Sequence, residues 1–289
     1  VVDDDGSGTP QDYDYRSYWS SLHDRGGLSA VGQQALSDRI NGWLYKTRRR
    51  NLRSFAKAQG LRGGRMLEVG VGTGYWIDLW HELGYQVDGC DLVDTAVERL
   101  RDEHPESRFW QGDVSSPDGI AGPAEGGPDD GYDLVAAIDV LLHVTDDERF
   151  EQALANLAAL VRPGGYLLLA EPVMSLAKSQ PRYHPANSSR ARILKNYRRP
   201  LREAGFRFVT VAPTTVLANN PIEARTPRRL AAYRRWWQVV RGASAHPWRC
   251  AVVGPVMYAA DPLLARVGEA PTSKLVLFRR RRAPRPQAG

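Results

Sequence analysis

The amino-acid sequence predicts an α/β fold organised on one open, mostly parallel sheet, and three observations predict it. Between residues 65 and 212, short apolar runs alternate with amphipathic helical stretches, the pattern of parallel strands joined by crossover helices. The run Leu134-Val135-Ala136-Ala137-Ile138 is apolar at every position, as a strand covered on both faces must be. Successive runs close on Gly70, Asp91, Asp113 and Asp139. In such sheets ligands sit beyond the carboxyl ends of the strands, where the strand order reverses.

Residues 1–12, rich in Asp, Gly and Ser, are expected to be a disordered leader. Tyr15, Tyr18, Trp19 and Leu22 recur at helical spacing. Leu36, Ile40, Trp43, Leu44, Leu52 and Phe55 form the apolar face of a longer helix over residues 34–59, stopped by Gly60. The first strand is expected over 65–69, followed by a helix over 75–83 closed by Gly84. Strands over 86–90, 108–111 and 132–138 come next, with a helix over 95–103 and a Gly- and Pro-dense loop over 119–130 between them. Phe150, Leu154, Leu157 and Leu160 mark a helix over 147–161, which Pro163-Gly164-Gly165 ends before a fifth strand over 166–170. A helix over 187–204 interrupted at Pro200, a sixth strand over 206–212 and a seventh over 274–279 complete the pattern. Between the last two strands, Thr226 as N-cap and Pro227 at the first helical position open a further helix. It carries Leu230, Tyr233, Trp237 and Val240 on one face and is ended by Gly242.

The chain has 289 residues, 42% of them hydrophobic, enough to bury a core without covalent staples. Two cysteines, Cys90 and Cys250, exclude a disulfide framework and a cysteine-ligated structural zinc, and suit a reducing, cytoplasmic setting. The most apolar stretch, over 251–264, is broken by Pro255, Asp261 and Pro262, so no membrane span is expected. Asp3, Asp4 and Asp5 have the wrong sign for a secretory signal. Charge is unevenly placed: residues 61–174 carry 7 basic and 22 acidic groups, and residues 175–289 carry 23 basic and 4 acidic. Such asymmetry speaks of partners rather than of fold.

Glu68-Val69-Gly70-Val71-Gly72-Thr73-Gly74 stands at the end of the first strand. Glycines at alternate positions strip side chains from a tight turn, so that a ligand can lie against backbone. A dinucleotide fingerprint places its third glycine one residue later, at Tyr75, and a phosphate-binding P-loop needs a Gly-Lys-Ser/Thr that is absent. Read alone, the turn also fits a ligand-free strand-to-helix connection. Asp91 is placed to accept two ribose hydroxyls, and Asp113 to take an exocyclic adenine amine. Asp often follows a strand because it starts turns; three in register behind a glycine-rich turn build one rim of acceptors.

With these motifs in place, the chain resembles the class I S-adenosylmethionine-dependent methyltransferases of small-molecule type, over roughly half of its length. Leu67 through Gly74 resembles the family's first motif. Asp91-Leu92 is similar to its ribose-binding acid and adenine-packing neighbour, and Gly112-Asp113-Val114 to its adenine-amine site. Asp133-Leu134-Val135 through Asp139-Val140-Leu141-Leu142-His143-Val144 resembles the fourth motif. Leu160-Val161-Arg162-Pro163-Gly164-Gly165 and Glu203-Ala204-Gly205-Phe206 are similar to the turns into strands five and six. The resemblance implies a Rossmann-like seven-stranded sheet with a reversed last strand. It implies a helical cap over residues 13–60, a cofactor-binding core over 61–212, an insertion or lid over 213–272, and a last strand with a basic tail over 273–289. The implied cofactor is S-adenosyl-L-methionine, held by Glu68, Gly70, Gly72, Gly74, Asp91, Leu92, Asp113, Val114 and Asp139, with Tyr15 and Trp19 folded over it. No metal is implied.

The function implied is methyl transfer to O, N or C of a small-molecule acceptor of specialised metabolism. The cofactor activates the methyl, so the protein mainly aligns and desolvates, and orientation alone is worth ~7–11 kcal/mol. An oxygen nucleophile also needs a base. His143, after the fourth strand, and His184, after the fifth, are the two candidates; either also fits a hydrogen-bonded structural histidine. Seven basic residues and no acidic one lie between Pro172 and Pro200. Tyr183, Arg190, Tyr197 and, from the insertion, Trp237 are therefore expected to face an acceptor bearing carboxylate or phosphate. The bland reading of these cations is a solvated face balancing an acidic core, and Arg279-Arg280-Arg281-Arg282 reads as a charged terminus. RNA methylation and a catalytically silent partner subunit are the alternatives. A pI near 9.4 suits RNA, but the Asn/Asp-Pro-Pro-Tyr/Phe motif for planar amines is absent after strand four. The intact Glu68, glycines, Asp91 and Asp113 weigh against silence. The partners expected are the acceptor and a second copy in a homodimer, not nucleic acid.

Overall fold

The computed structural model describes residues 19, 32–33, 36–120, 122, 128–176, 182–184, 189–266 and 268–282. The expected leader, and Tyr15, Tyr18 and Leu22 of the expected first helix, lie outside the described residues.

Helix α1 (Asp38–Ala58) precedes an alternating core: β1 (Gly64–Val69), α2 (Ile77–Glu82), β2 (Tyr85–Asp91), α3 (Asp94–Glu103), β3 (Arg108–Gln111) and β4 (Tyr132–Ile138). A 3₁₀ turn (Leu141–His143), α4 (Asp147–Leu160) and β5 (Val161–Glu171) follow, then a small hairpin of β6 (Arg182–His184) and β7 (Ser189–Ala191). The chain continues through α5 (Leu194–Glu203), β8 (Phe206–Pro213), α6 (Pro227–Ser244), α7 (Pro247–Ala265) and β9 (Lys274–Arg280).

The main sheet has seven strands in the order β3-β2-β1-β4-β5-β9-β8. Pairings among the first five are parallel, and β9 runs antiparallel between β5 and β8. The expected reversed last strand is therefore present. Strand order reverses between β1 and β4, so the carboxyl ends of those two strands open a crevice. Both faces of the sheet are covered. Leu134 and Ala136 of β4 pack into the apolar cluster shared with α1, α2 and the insertion, while Val135 and Ala137 join α4 and α5 on the other side. That two-sided burial is why β4 is apolar throughout.

Two expectations about elements are corrected. The helix expected over 187–204 is only Leu194–Glu203 and continues through Pro200; its predicted first part is instead the strand β7, paired antiparallel with β6. Pro163-Gly164-Gly165 does not separate α4 from the fifth strand. Helix α4 stops at Leu160, β5 starts at Val161, and the ladder to β4 shifts register between Tyr132 and Leu134, which absorbs the extra residues as a bulge. The stretch over 251–264 lies in helix α7, which runs through Pro255 and Pro262.

Tertiary packing overrides the two prolines. A Cβ on Gly254 would strike the Trp43 ring, so α7 sits directly against α1. Asp261 is fully buried and accepts from the backbone N–H groups of Val216 and Leu217 and from Asn51 Nδ2, each at 2.8 Å. The Arg50 guanidinium stacks 3.9 Å from the Tyr258 ring centroid. Burial shifts the Asp261 carboxyl upward, against the pull of its donors. No helix among the described residues is long and apolar enough to cross a membrane.

Candidate active site

A cleft of about 410 Å³ opens at the carboxyl ends of β1, β2 and β4. Its floor is the glycine turn. Gly70, Gly72 and Gly74 have φ of +72°, +53° and +75°, a left-handed backbone that side chains other than glycine's resist. The amides of Gly70 and Val71 donate to Cys90 O at 2.8 and 3.1 Å. The turn is thus bound to β2 by its own backbone. A Cβ on Gly70 would run into Val140, and one on Gly74 into Leu100.

Asp91 fixes the next wall. Its Oδ2 accepts from Gly72 N–H at 2.8 Å and its Oδ1 from Val93 N–H at 3.0 Å. A carboxylate offers about four acceptor positions, so two backbone donors aim it without exhausting it. Leu92, Asp113 and Val114 line the cleft beside it. Asp113 Oδ1 accepts from the N–H and hydroxyl of Ser115, at 2.8 and 2.7 Å. Arg149 Nη2 reaches both Asp113 Oδ2, at 3.2 Å, and Ser115 Oγ, at 2.6 Å. Arg149 belongs to the first turn of α4, whose N-cap Asp146 accepts from the Arg149 N–H.

The opposite wall begins at Asp139, a non-glycine residue at φ +57°. Its Oδ2 lies 2.5 Å from Arg48 Nη1, which comes from α1. Arg48 is buried, with its guanidinium over the rings of Tyr45 and Trp76 at 5.5 and 5.6 Å. Burial works against its charge, but Asp139 and the neighbouring groups outweigh burial and raise its pKa. Behind Asp139, Glu171 accepts from the N–H groups of Val140, Leu141 and Leu142 at 3.0, 2.8 and 3.0 Å. Burial pushes the Glu171 carboxyl up to about 8, with Asp139 adding to the rise and the three amides opposing it.

Two aromatic groups complete the lining. Tyr45 meets Tyr75 edge-on at 4.8 Å and stacks on Trp76 at 5.8 Å. Trp19 meets His143 edge-on at 4.7 Å.

Of the residues expected to hold a cofactor, Gly70, Gly72, Asp91, Leu92, Asp113, Val114, Asp139 and Trp19 line this cleft. Glu68 and Gly74 do not. Gly74 packs on α3 through Leu100. Glu68 is buried beneath the turn, where its Oε2 accepts from Trp80 Nε1 at 2.8 Å. Burial pushes its carboxyl up to about 8, opposed by the Trp80 bond and reinforced by Asp91. Tyr15 lies outside the described residues.

The expected substrate contacts are largely corrected. Tyr197 is buried against Phe150, ring centroids 5.1 Å apart, and Trp237 is buried in the cluster that includes Leu36 and Ile40. Neither lines the cleft, and among the described residues nothing from 213–272 does. Arg190 is engaged elsewhere, at 3.0 Å from Asp147 and 2.9 Å from Thr145 O. Arg192 is buried on Asp147 and stacks on Phe150, and Arg198 stacks on Phe208. The basic segment is thus mostly bound to protein, and the arginine that does line the cleft is Arg149. His143 lines the cleft; the side chains of Tyr183 and His184 lie outside the described residues. Sequence reasoning missed Arg48, Tyr45, Tyr75, Trp76 and Arg149. One signal was present: Tyr45 and Arg48 stand three apart on a helix and share a face.

A family model described as a methyltransferase domain matches residues 41–211, more than half of the chain. The chain belongs to the methyltransferase domain family. A ubiquinone biosynthesis O-methyltransferase from Cupriavidus pinatubonensis is 33% identical to this methyltransferase over 112 residues, which are 38% of this chain and 42% of that protein. A hybrid PKS-NRPS synthetase, apdA of Emericella nidulans, is 32% identical over 114 residues, 37% of this chain and 3% of the synthetase. The chain spans less than half the length of these curated relatives. Among solved structures, 1,6-didemethyltoxoflavin-N1-methyltransferase of Burkholderia thailandensis aligns with a TM-score of 0.53 at 17% identity. That alignment covers 92% of this chain and 86% of the other, and it speaks for a shared fold. The fold is that of the class I methyltransferases, and S-adenosyl-L-methionine is the cofactor. The cleft fits it: Gly70 and Gly72 line it with bare backbone at positive φ, and Asp91, aimed by the Gly72 amide, stands beside them.

Proposed function

We propose that this methyltransferase moves the methyl of S-adenosylmethionine to an O, N or C atom of a flat, largely apolar small molecule. The observation that carries the reading is the cleft itself. A glycine-and-carboxylate wall suited to an adenosyl group runs into a lining of Tyr45, Tyr75, Trp76, Trp19 and His143. Aromatic side chains favour offset or edge-on contact with another ring.

When bound, the cofactor supplies an electrophilic sulfonium methyl. The chain's own residues do the rest. Gly70 and Gly72 present backbone in place of side chains, and Asp91 accepts ribose hydroxyls. Leu92 and Val114 would hold the base, with Asp113 and Arg149 as its polar partners. Asp139, held by Arg48, borders the reacting end. His143 takes the proton of an oxygen acceptor as general base; its contact with Trp19 orients the ring and keeps water out. The aromatic lining favours a ring compound as the acceptor. The curated relatives' printed names, a ubiquinone biosynthesis O-methyltransferase and a polyketide–peptide synthetase, are compatible with such acceptors.

The test is transfer of labelled methyl from S-adenosylmethionine to a panel of phenols, N-heterocycles and aliphatic acids. Turnover confined to ring acceptors supports the reading. Turnover confined to aliphatic acids, or binding of the cofactor with no transfer to any acceptor, contradicts it.

A further inference from the structure

Helix α7 is apolar on two faces. Its inner face docks on α1 through Gly254 and buries Cys250, Met257 and Asp261. Its outer face is apolar as well. Trp248, Val252, Val256 and Leu263 are 66%, 58%, 50% and 63% exposed, and Val239 of α6 adds a fifth side chain at 51%. Trp248, Val252 and Val256 stand four residues apart, so they form one stripe along the helix. Ala251, Pro255 and Ala259 fill the gaps between them and are exposed too.

Within residues 213–272, every exposed charge is cationic. Residues 213–272 contain eight arginines and three carboxylates, Glu223, Asp261 and Glu269. All three carboxylates are buried. Each is already committed: Glu223 to Lys274, Asp261 to the amides of Val216 and Leu217, and Glu269 to Arg229. Arg228, Arg234, Arg235, Arg241 and Arg249 are exposed and form no ion pair among the described residues. Arg249 lies over the Trp248 ring at 5.2 Å.

From these placements we infer that the outer face of α6 and α7 docks on an anionic lipid bilayer. An exposed tryptophan and branched aliphatics on a segment whose exposed charges are all arginine suit a helix lying in the headgroup plane, and anionic headgroups supply the countercharge that this segment does not. A second copy of this chain is a poorer match. Face-to-face pairing would bring arginine against arginine, with no exposed carboxylate within residues 213–272 to offset them. The inference stands apart from the chemistry of the cleft and does not depend on the acceptor.

The experiment is co-sedimentation of the full chain with vesicles of equimolar phosphatidylglycerol and phosphatidylcholine, and with phosphatidylcholine vesicles alone. The chain is expected to sediment with the anionic vesicles only, and to be released as salt is raised. The double variant Val252→Glu/Val256→Glu is expected to lose roughly tenfold or more in vesicle affinity, with melting temperature and cofactor binding kept. Arg234→Gln/Arg235→Gln/Arg241→Gln is expected to weaken binding and flatten its salt dependence. Equal sedimentation of wild type and both variants overturns the inference. So does a failure to sediment with anionic vesicles accompanied by a dimer that Val252→Glu/Val256→Glu dissociates in ultracentrifugation, an outcome that gives the face to a second copy.

Discussion

Arg48 on α1 and Asp139 at the end of β4 face each other across the cleft wall, Nη1 to Oδ2, at 2.5 Å. The pair joins the N-terminal helix to the sheet at the strand end where Asp139 holds a left-handed backbone. Arg48→Met removes the charge and the guanidinium plane together and leaves Asp139 without this partner. Stability is expected to fall by about 1–3 kcal/mol. Arg48→Lys is not expected to restore it, because a point charge cannot also cover the Tyr45 and Trp76 rings. Urea denaturation reads the change; an unaltered midpoint in Arg48→Met would show the pair to be idle.

Asp91→Ala takes away the acceptor that the Gly72 amide aims at. Each lost hydrogen bond to a charged group is worth about 1.5–3 kcal/mol, so affinity for S-adenosylhomocysteine is expected to drop at least tenfold. The circular dichroism spectrum should stay as it is. Undiminished calorimetric binding by the variant would remove Asp91 from the cofactor site.

Glu68 makes stability depend on pH. Burial raises its carboxyl from an ordinary 4.5 to about 8 in the folded chain. The folded state then binds a proton that the unfolded state releases between those values, so this contribution is full below 4.5 and is lost as pH rises towards 8. Glu68→Gln keeps the shape and removes the titration. Its unfolding free energy is expected to be flatter than wild type between about pH 5 and 8. Parallel pH profiles for the two proteins would mean that Glu68 is ionised in the fold.

His143→Gln separates chemistry from packing. If the imidazole takes the acceptor's proton, kcat falls by about 10²- to 10⁴-fold while cofactor affinity is retained. His143→Phe preserves an edge-on partner for Trp19 and should be as inactive. Full activity in His143→Phe would reduce His143 to a packing role.

The sequence made the strand ends legible because the chemistry is local there. Gly70, Gly72 and Asp91 sit within a few residues of an apolar run, and the turn they build is decided by their own backbone. Arg48 and Arg149 were not legible, because Arg48, behind Asp139, and Arg149, in the cleft, each stand on a helix whose placement depends on packing far away in sequence. Tyr197 and Trp237 were misread for the same reason: an aromatic on a helix face looks alike whether it meets a ligand or a core. Helix α7 did not stand out as a helix, because it carries two internal prolines, which weaken any isolated helix. What outweighs them is Asp261 gathering the Val216 and Leu217 amides from 44 or more residues away, a contact no local rule can see. The hairpin of β6 and β7 escaped because Ser189–Ala191 is short and lacks alternation.

Strand β9 lies between β5 and β8, and among the described residues β8 has no other partner in the sheet. Residues 274–280 are therefore the seam that joins the sixth parallel strand to the rest. On a ribosome, β8 is made some sixty residues before β9, its neighbour in the sheet, and until β9 emerges β5 also shows a bare edge. A premature stop upstream of Lys274 would not merely shorten the protein: it would release one strand and leave another as an open template for aggregation.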